Sequence, residues 1–181
     1  MKSVLISIQP KWVEKIAKGE KTIEVRKTRP KIETPFKCYI YCTIGNGIKG
    51  DYLVPSGIQC GKVIGEFTCD RIYEWNYRQL QGLNGNINTY FPIFAEDLPK
   101  TCLTHNDIEN YGKGKPLYGW HISDLKIYDK PRELSEFGQK CDMAYEIRCR
   151  DCLIRKGWNE CCEVMCKPLK RPPQSWCYVE V

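Results

Sequence analysis

The chain has 181 residues, of which 42% are hydrophobic and 28% are charged, and its formal net charge is +6. This composition is typical of a globular, soluble protein rather than a disordered chain. No apolar run reaches the length of a membrane span and the N-terminus lacks the pattern of a cleaved signal, so we expect a cytoplasmic protein without a membrane partner. The basic excess is compatible with a nucleic-acid partner but does not require one.

The first predicted elements are a strand, a short helix and a second strand. Alternating apolar residues predict the first strand over residues 2–9. Pro10 suits the first turn of a helix, where an N–H group is not needed, and Gly19 suits the end of that helix. Four apolar residues at helical spacing would face a core: Trp12, Val13, Ile16 and Ala17.

The second predicted strand, over residues 21–27, carries charged side chains on one face. Strand alternation places three polar residues on that face: Thr22, Glu24 and Arg26. Ile23 and Val25 on the opposite face can hold the strand to a core, and Lys21 stands at its beginning. Such a pattern indicates either a charged binding site or a solvated face with weak ion pairs.

This strand–helix–strand arrangement resembles the ASCH domain family, whose fold is similar to that of the PUA domain. The matching positions are Pro10, Gly19, Lys21, Thr22, Glu24 and Arg26. The resemblance implies a cleft beside this motif that binds RNA or nucleotides. Some small family members are amidohydrolases that act on a modified cytidine nucleoside, with a Lys and, three residues later, a nucleophilic Thr. This chain keeps Lys21 but has Glu24 at the Thr position, so that reaction is not carried over.

Further strands and short helices follow the motif. Four more strands are predicted: residues 37–44, 62–75, 117–128 and 176–181. Three short helical segments are predicted between them: residues 77–83, 92–98 and 104–109. Thr104 is a favourable N-cap for the last of these, and Gly65 marks a bulge in the strand that contains it. Six strands with few short helices predict a mainly β (α+β) fold, a PUA-like, small and partly open β-barrel.

Trp120 has two interpretations. An aromatic side chain beside a basic face can stack on a nucleic-acid base. It can equally be a core side chain whose N–H is satisfied. The two histidines, His105 and His121, lack metal-ligand spacing, which favours solvated or capped side chains.

A cysteine-rich stretch precedes the last strand. Seven of the twelve cysteines follow residue 140, and the stretch has few large aliphatic residues with which to build a core. Two pairs with C-x2-C and C-x3-C spacing are candidate structural zinc ligands: Cys149, Cys152, Cys162 and Cys166. Reduced thiols, disulfides and an iron–sulfur cluster are the alternatives.

These features divide the chain into three parts. Residues 1–137 form the predicted barrel, residues 138–168 a zinc-binding insertion, and residues 169–181 the closing strand. The sequence PPQSW before that strand is similar to the ending of phage-type ASCH proteins.

The leading hypothesis is an RNA- or nucleotide-binding module with a structural zinc arm. Lys21, Arg26 and Lys27 would contact phosphate, and Glu24 would accept a hydrogen bond from a base or orient Arg26. Thr22 is a further nucleic-acid-binding residue, and Trp120 would stack on a base. One alternative is a small hydrolase, a nucleoside amidohydrolase or ribonuclease, with Glu24 as general base and Lys21 stabilising negative charge. It requires that Glu24 be buried beside Lys21. Another alternative is an adaptor that binds a protein partner through the cysteine-rich arm.

Overall fold

The structure, a computed structural model, describes residues 2–44, 57–76, 78–81, 87–90, 93, 96–139 and 167–180. Its elements follow the chain as β1 (Ser3–Ile8), α1 (Pro10–Ala17), β2 (Ile23–Arg26), β3 (Phe36–Cys42), β4 (Val63–Cys69), β5 (Ile72–Trp75), β6 (Arg78–Gln81), β7 (Ile87–Tyr90), α2 (Leu98–Thr101), α3 (His105–Gly112), β8 (Leu117–His121), β9 (Ser123–Arg132), β10 (Gly138–Gln139), β11 (Lys167–Pro168) and β12 (Trp176–Val179). The predicted mainly β fold with short helices is confirmed, and the described strands form open sheets, none of them closed into a barrel.

The chain divides into two compact units, each drawn from separated parts of the sequence. The first unit contains Met1–Pro10, Lys37–Glu66 and Lys126–Val181. The second contains Lys11–Phe36 and Phe67–Leu125. The predicted insertion, residues 138–168, falls almost entirely outside the described residues, so its boundaries stay a prediction.

The first unit is built on the sheet β12-β1-β3-β4-β9. β1 pairs antiparallel with β12 and parallel with β3, so the strand near the C-terminus lies against the first strand. Every residue of β1 is buried. On one side of the sheet, the ring of Tyr39 packs edge-on against Phe137 with 4.9 Å between centroids. Such aromatic pairs stabilise a core beyond the area that they bury.

The second unit is built on the antiparallel sheet β2-β8-β5. One face of this sheet packs into a core that includes Ile23, Val25 and Trp75, and each such side chain contributes roughly 1.5–3 kcal/mol. Gly119 permits this packing, because an added Cβ would lie 2.5 Å from Cη2 of Trp75. The core therefore holds β2 by its apolar side and leaves Glu24 on the opposite face.

The helices confirm two sequence predictions. The core-facing residues Val13 and Ile16 of α1 are buried. At α3 the Thr104 hydroxyl accepts a bond from the Asp107 backbone N–H at 3.1 Å, and the Asp107 carboxylate accepts one from the Thr104 N–H at 2.9 Å. This reciprocal capping box fixes the start of the helix.

Several predicted boundaries were wrong. The strand predicted over residues 62–75 is two strands, β4 and β5, and the strand over 117–128 is β8 followed by β9. The helical turn predicted over 77–83 is instead β6, which pairs with β7, because non-local backbone bonds override a weak local pattern. Of the helix predicted over 92–98, the described residues 93, 96 and 97 are not helical, and α2 begins at Leu98. Within the described ranges, no helix is both long and apolar enough to cross a membrane.

Candidate nucleic-acid interface

The end of α1 turns the chain into the charged strand. Gly19 has φ of +74°, a left-handed conformation that glycine adopts without steric cost. The backbone N–H groups of Glu20 and Lys21 both donate to the carbonyl oxygen of Lys15, at 2.9 and 3.1 Å. This tight turn directs the side chain of Lys21 into the second unit.

Lys21 is a buried lysine with all of its donors engaged. Its side chain is 2% exposed, and Nζ donates to the carbonyl oxygens of Ile23 at 2.9 Å and Thr101 at 2.7 Å. A third contact joins Nζ to Oε2 of Glu24 at 3.3 Å. The ring of Trp12 lies 5.2 Å from Nζ. Since an ammonium group has three N–H bonds, these partners account for its hydrogen-bonding capacity.

Glu24 links Lys21 to Arg26. Its Oε1 lies 3.0 Å from Nη2 of Arg26, and the two side chains are only 7% and 12% exposed. Lys21, Glu24 and Arg26 therefore form one buried charged array with the carboxylate at its centre. Charged groups are buried at a high desolvation cost unless they are paired in this way, and the array carries one net positive charge.

Tyr111 and Lys27 lie at the open end of this array. Nζ of Lys27 sits 4.7 Å from the centroid of the Tyr111 ring; Lys27 is exposed, whereas Tyr111 is only 37% exposed. Burial of its hydroxyl raises the pKa of Tyr111, against the opposing effect of the nearby Arg26 guanidinium. At this end of the array the exposed Lys27 and the largely buried Arg26 therefore lie beside one aromatic ring.

The structure corrects the predicted role of Trp120. Its side chain is fully buried, and its ring meets Phe36 edge-on at 5.8 Å between centroids. Trp120 pairs with Glu24 across β2 and β8, so it lies on the charged face but beneath its cover. A ring enclosed in this way offers no surface for a base, and the core position of Trp120 is the one observed.

Thr22 contributes to the frame of the site through its main chain. Its N–H donates to the carbonyl oxygen of Lys100 at 3.0 Å, and its carbonyl accepts from the N–H of Ile122 at 2.9 Å. Sequence reasoning missed Trp12, Thr101 and Tyr111. Tyr111 follows the buried Ile108 by one helical turn and could have been found from that spacing, whereas Thr101 acts through a carbonyl that no side-chain pattern signals.

His121 lies on the other face of the same sheet. It pairs with Ile23 across β2 and β8, and its Nδ1 lies 2.6 Å from Oδ1 of Asp70. The carboxyl of Asp70 is partly desolvated, but the hydrogen bond and charge of His121 outweigh that effect and lower its pKa. The predicted capped histidine is observed, and it is not part of the charged array.

The four predicted zinc ligands lie outside the described residues: Cys149, Cys152, Cys162 and Cys166. Among the residues that the structure describes, no group of three or more His, Cys, Asp or Glu side chains could hold a metal ion. The zinc arm therefore stays a prediction.

Comparison with solved structures finds proteins of similar fold. The crystal structure of ASCH from Zymomonas mobilis matches with a TM-score of 0.55 and 17% identity, over 97% of this chain and 86% of that chain. A serine-to-alanine mutant of that protein gives a TM-score of 0.55 at 16% identity, over 97% of this chain and 87% of the other. No protein-family model matches the sequence, and no curated protein matches it significantly. The likeness shows the fold: this chain has the fold of ASCH domain structures, as the sequence resemblance implied.

Proposed function

We propose that this chain, with its ASCH-type fold, is an RNA- or nucleotide-binding module whose basic cleft lies around residues 19–27 (GEKTIEVRK). The observation that carries the proposal is the buried array, in which Lys21 holds Glu24 and Glu24 holds Arg26. Burying charged groups has a high desolvation cost. A function that requires the guanidinium of Arg26 in one fixed orientation would explain why the array is buried.

The residues of the array and its neighbours have different proposed roles. Lys21 and Glu24 are positioning residues, because their polar atoms are engaged inside the unit. Arg26 and the exposed Lys27 are the phosphate contacts. Thr22 holds the beginning of β2 against α2, because its N–H donates to the carbonyl oxygen of Lys100. Guanidinium groups suit phosphate because they present several donors in a planar fork.

The test is binding of a fluorescently labelled single-stranded 12-mer RNA, measured by anisotropy at two salt concentrations. We expect Arg26→Gln with Lys27→Gln to weaken binding roughly tenfold or more and to reduce the log–log salt slope by about 1.4, the loss of two phosphate contacts. The matched control changes Lys113 and Lys115 to Gln, two exposed lysines beyond the end of α3. Equal losses in both double variants, or no binding by the wild type, would rule the proposal out.

A small hydrolase is the second candidate, because Glu24 is buried beside Lys21 as that function requires. It ranks second because Nζ of Lys21 already has three partners, which leaves no donor for developing negative charge. Incubation with single-stranded RNA and with a nucleoside carrying an exocyclic amide tests it. Turnover that disappears in Glu24→Gln would support the hydrolase, whereas equal product with both proteins would exclude it.

The zinc arm and the cytoplasmic location complete the proposal. Four cysteines are the proposed ligands of a structural zinc ion: Cys149, Cys152, Cys162 and Cys166. The proposed location is a reducing compartment, in which thiols stay available to bind zinc. An arm of this kind would extend the RNA-contacting surface or, in the adaptor alternative, bind a protein.

A further inference from the structure

The segment that leaves β2 forms one wall of a groove within the second unit. The groove has a volume of about 890 Å³ and is lined by residues 27–34 (KTRPKIET), Ile72 and Tyr118. We call it the 27–34 groove. Its volume falls within the range typical of small-ligand sites.

The charge of the groove selects an anionic ligand. Three cationic side chains, Lys27, Arg29 and Lys31, line it together with one carboxylate, Glu33. All three cations are exposed. The three cations belong to one short segment, and together with Glu33 they give the lining of the groove a net side-chain charge of +2.

The floor of the groove continues the face that carries the charged array. Tyr118 pairs with Arg26 across β2 and β8, and Ile72 pairs with Trp120 across β5 and β8. Directly opposed residues project from the same face of a sheet. The face is therefore closed at Trp120 and Glu24 and opens at Tyr118.

Tyr118 is suited to the stacking role that sequence analysis gave to Trp120. Its side chain is half-buried, so the ring is held in place while part of it faces the groove. The guanidinium carbon of Arg29 lies 5.9 Å from the ring centroid. A base that stacks on this face takes the place of the Arg29 guanidinium, which then becomes available to contact the flanking phosphate.

We propose that the 27–34 groove binds a segment of single-stranded RNA, with phosphates along Lys27, Arg29 and Lys31 and one base stacked on Tyr118. The inference rests on the proposed RNA-binding function and adds to it a phosphate track and a base platform. Recognition of this kind tolerates many sequences, because every base has a stacking face.

The test uses the same labelled single-stranded 12-mer RNA with variants that leave Arg26 and Lys27 intact. We expect Arg29→Gln with Lys31→Gln to lower the log–log salt slope by about 1.4. We expect Tyr118→Leu to weaken binding about tenfold and Tyr118→Phe to retain it within about twofold, since a phenyl ring still stacks. The Lys113 and Lys115 double variant is again the control.

A second measurement does not depend on whether Tyr118→Leu folds: the wild-type protein is photo-crosslinked to an RNA that contains 4-thiouridine. A crosslink in a peptide containing Tyr118 supports the inference, and crosslinks confined to other peptides overturn it. If the wild type binds RNA through Arg26 and Lys27 while the groove variants bind like wild type, the groove is excluded and the proposed function stands. If the wild type binds no RNA, both fail. If uridine monophosphate competes with the 12-mer at equal concentrations, the proposal of a single-stranded RNA ligand is wrong and the groove is a mononucleotide site.

Discussion

Lys21 and Lys15 lie in the same short stretch of sequence and each faces a glutamate, yet their environments differ. Lys21 lies 3.3 Å from Glu24 with both side chains under 10% exposed, whereas Lys15 lies 3.2 Å from Glu20 with side chains 42% and 50% exposed. Exposed ion pairs contribute little to stability. When a buried pair loses one partner, the other charge stays buried without compensation, which destabilises the fold. The two pairs thus provide a matched comparison.

We predict that Lys21→Met lowers the free energy of unfolding by about 3–5 kcal/mol, because Glu24 and two carbonyl oxygens lose a buried donor. Lys15→Met should change it by about 1 kcal/mol or less. Urea unfolding followed by tryptophan fluorescence measures both. Equal effects of the two substitutions would mean that Lys21 is not an internal ion-pair member.

At this scale the sequence predicted which residues share a face but not which are covered. Alternation correctly put Glu24 and Arg26 side by side, and their contact at 3.0 Å follows from that spacing. One side chain that covers Trp120 is Phe36, which is distant in sequence and meets the Trp120 ring edge-on only because the fold brings them together. The period of a strand predicts the face on which a side chain lies, whereas its burial depends on residues that only the tertiary structure brings near.

Three neighbouring strands of the first unit share one hydrogen-bonded carboxylate. Glu66 on β4 accepts from Nζ of Lys37 on β3 at 2.9 Å and from the hydroxyl of Tyr128 on β9 at 2.6 Å. Burial raises the pKa of Glu66, but these two hydrogen bonds outweigh it and hold the pKa below its ordinary value of 4.5. The carboxylate therefore ties the strands together more strongly when it is ionised than when it is protonated.

The sign of the pH dependence follows from that lowered pKa. The folded state binds a proton at Glu66 less readily than the unfolded state, so the stabilisation is present above pH 4.5 and is lost as the pH falls through the folded-state pKa. We predict that wild type exceeds Glu66→Gln by about 1 kcal/mol from pH 5 to 7 and that the difference shrinks below pH 4.5. Urea unfolding across pH 3–7 measures it. A difference that does not vary with pH would contradict the assignment.

At the scale of elements, strong periodicity was informative and polar segments were not. The apolar alternation of β1 and the spacing of α1 predicted both elements closely. β6 and β7 were missed because RQLQ and INTY carry few apolar residues and are stabilised by pairing with each other. Such ribbons depend on contacts between segments rather than on a local pattern.

The whole molecule is assembled from segments that alternate along the chain between two units. The first unit needs residues near both ends, since β1 pairs with β12, and the candidate site lies within the second unit. The sequence pattern predicts the closing strand from its alternation. It does not predict that each unit is made of segments that are separated along the chain. The candidate RNA-binding residues contain none of the C-terminal cysteines, so metal binding and RNA binding can be tested separately.

We predict one zinc ion per purified chain, measured by elemental analysis, because two cysteine pairs with zinc-ligand spacing lie in a stretch too poor in aliphatic residues to fold unaided. Cys149→Ser with Cys162→Ser removes one ligand from each pair and should abolish the bound zinc. Cys102→Ser, a change to a half-buried thiol of the second unit, should retain it. Metal-free wild type, or equal loss in both variants, would make the zinc arm wrong.

The RNA affinity of the zinc-depleted variant then decides what the arm does. If the arm extends the RNA-contacting surface, the Cys149 and Cys162 double variant should bind the 12-mer more weakly although Arg26, Lys27 and the 27–34 groove are intact. If its affinity equals that of Cys102→Ser, the arm takes no part in RNA binding, and a protein partner becomes the better explanation. Metal content and RNA affinity, measured on the same two samples, therefore distinguish an arm that contacts RNA from an arm that binds a protein partner.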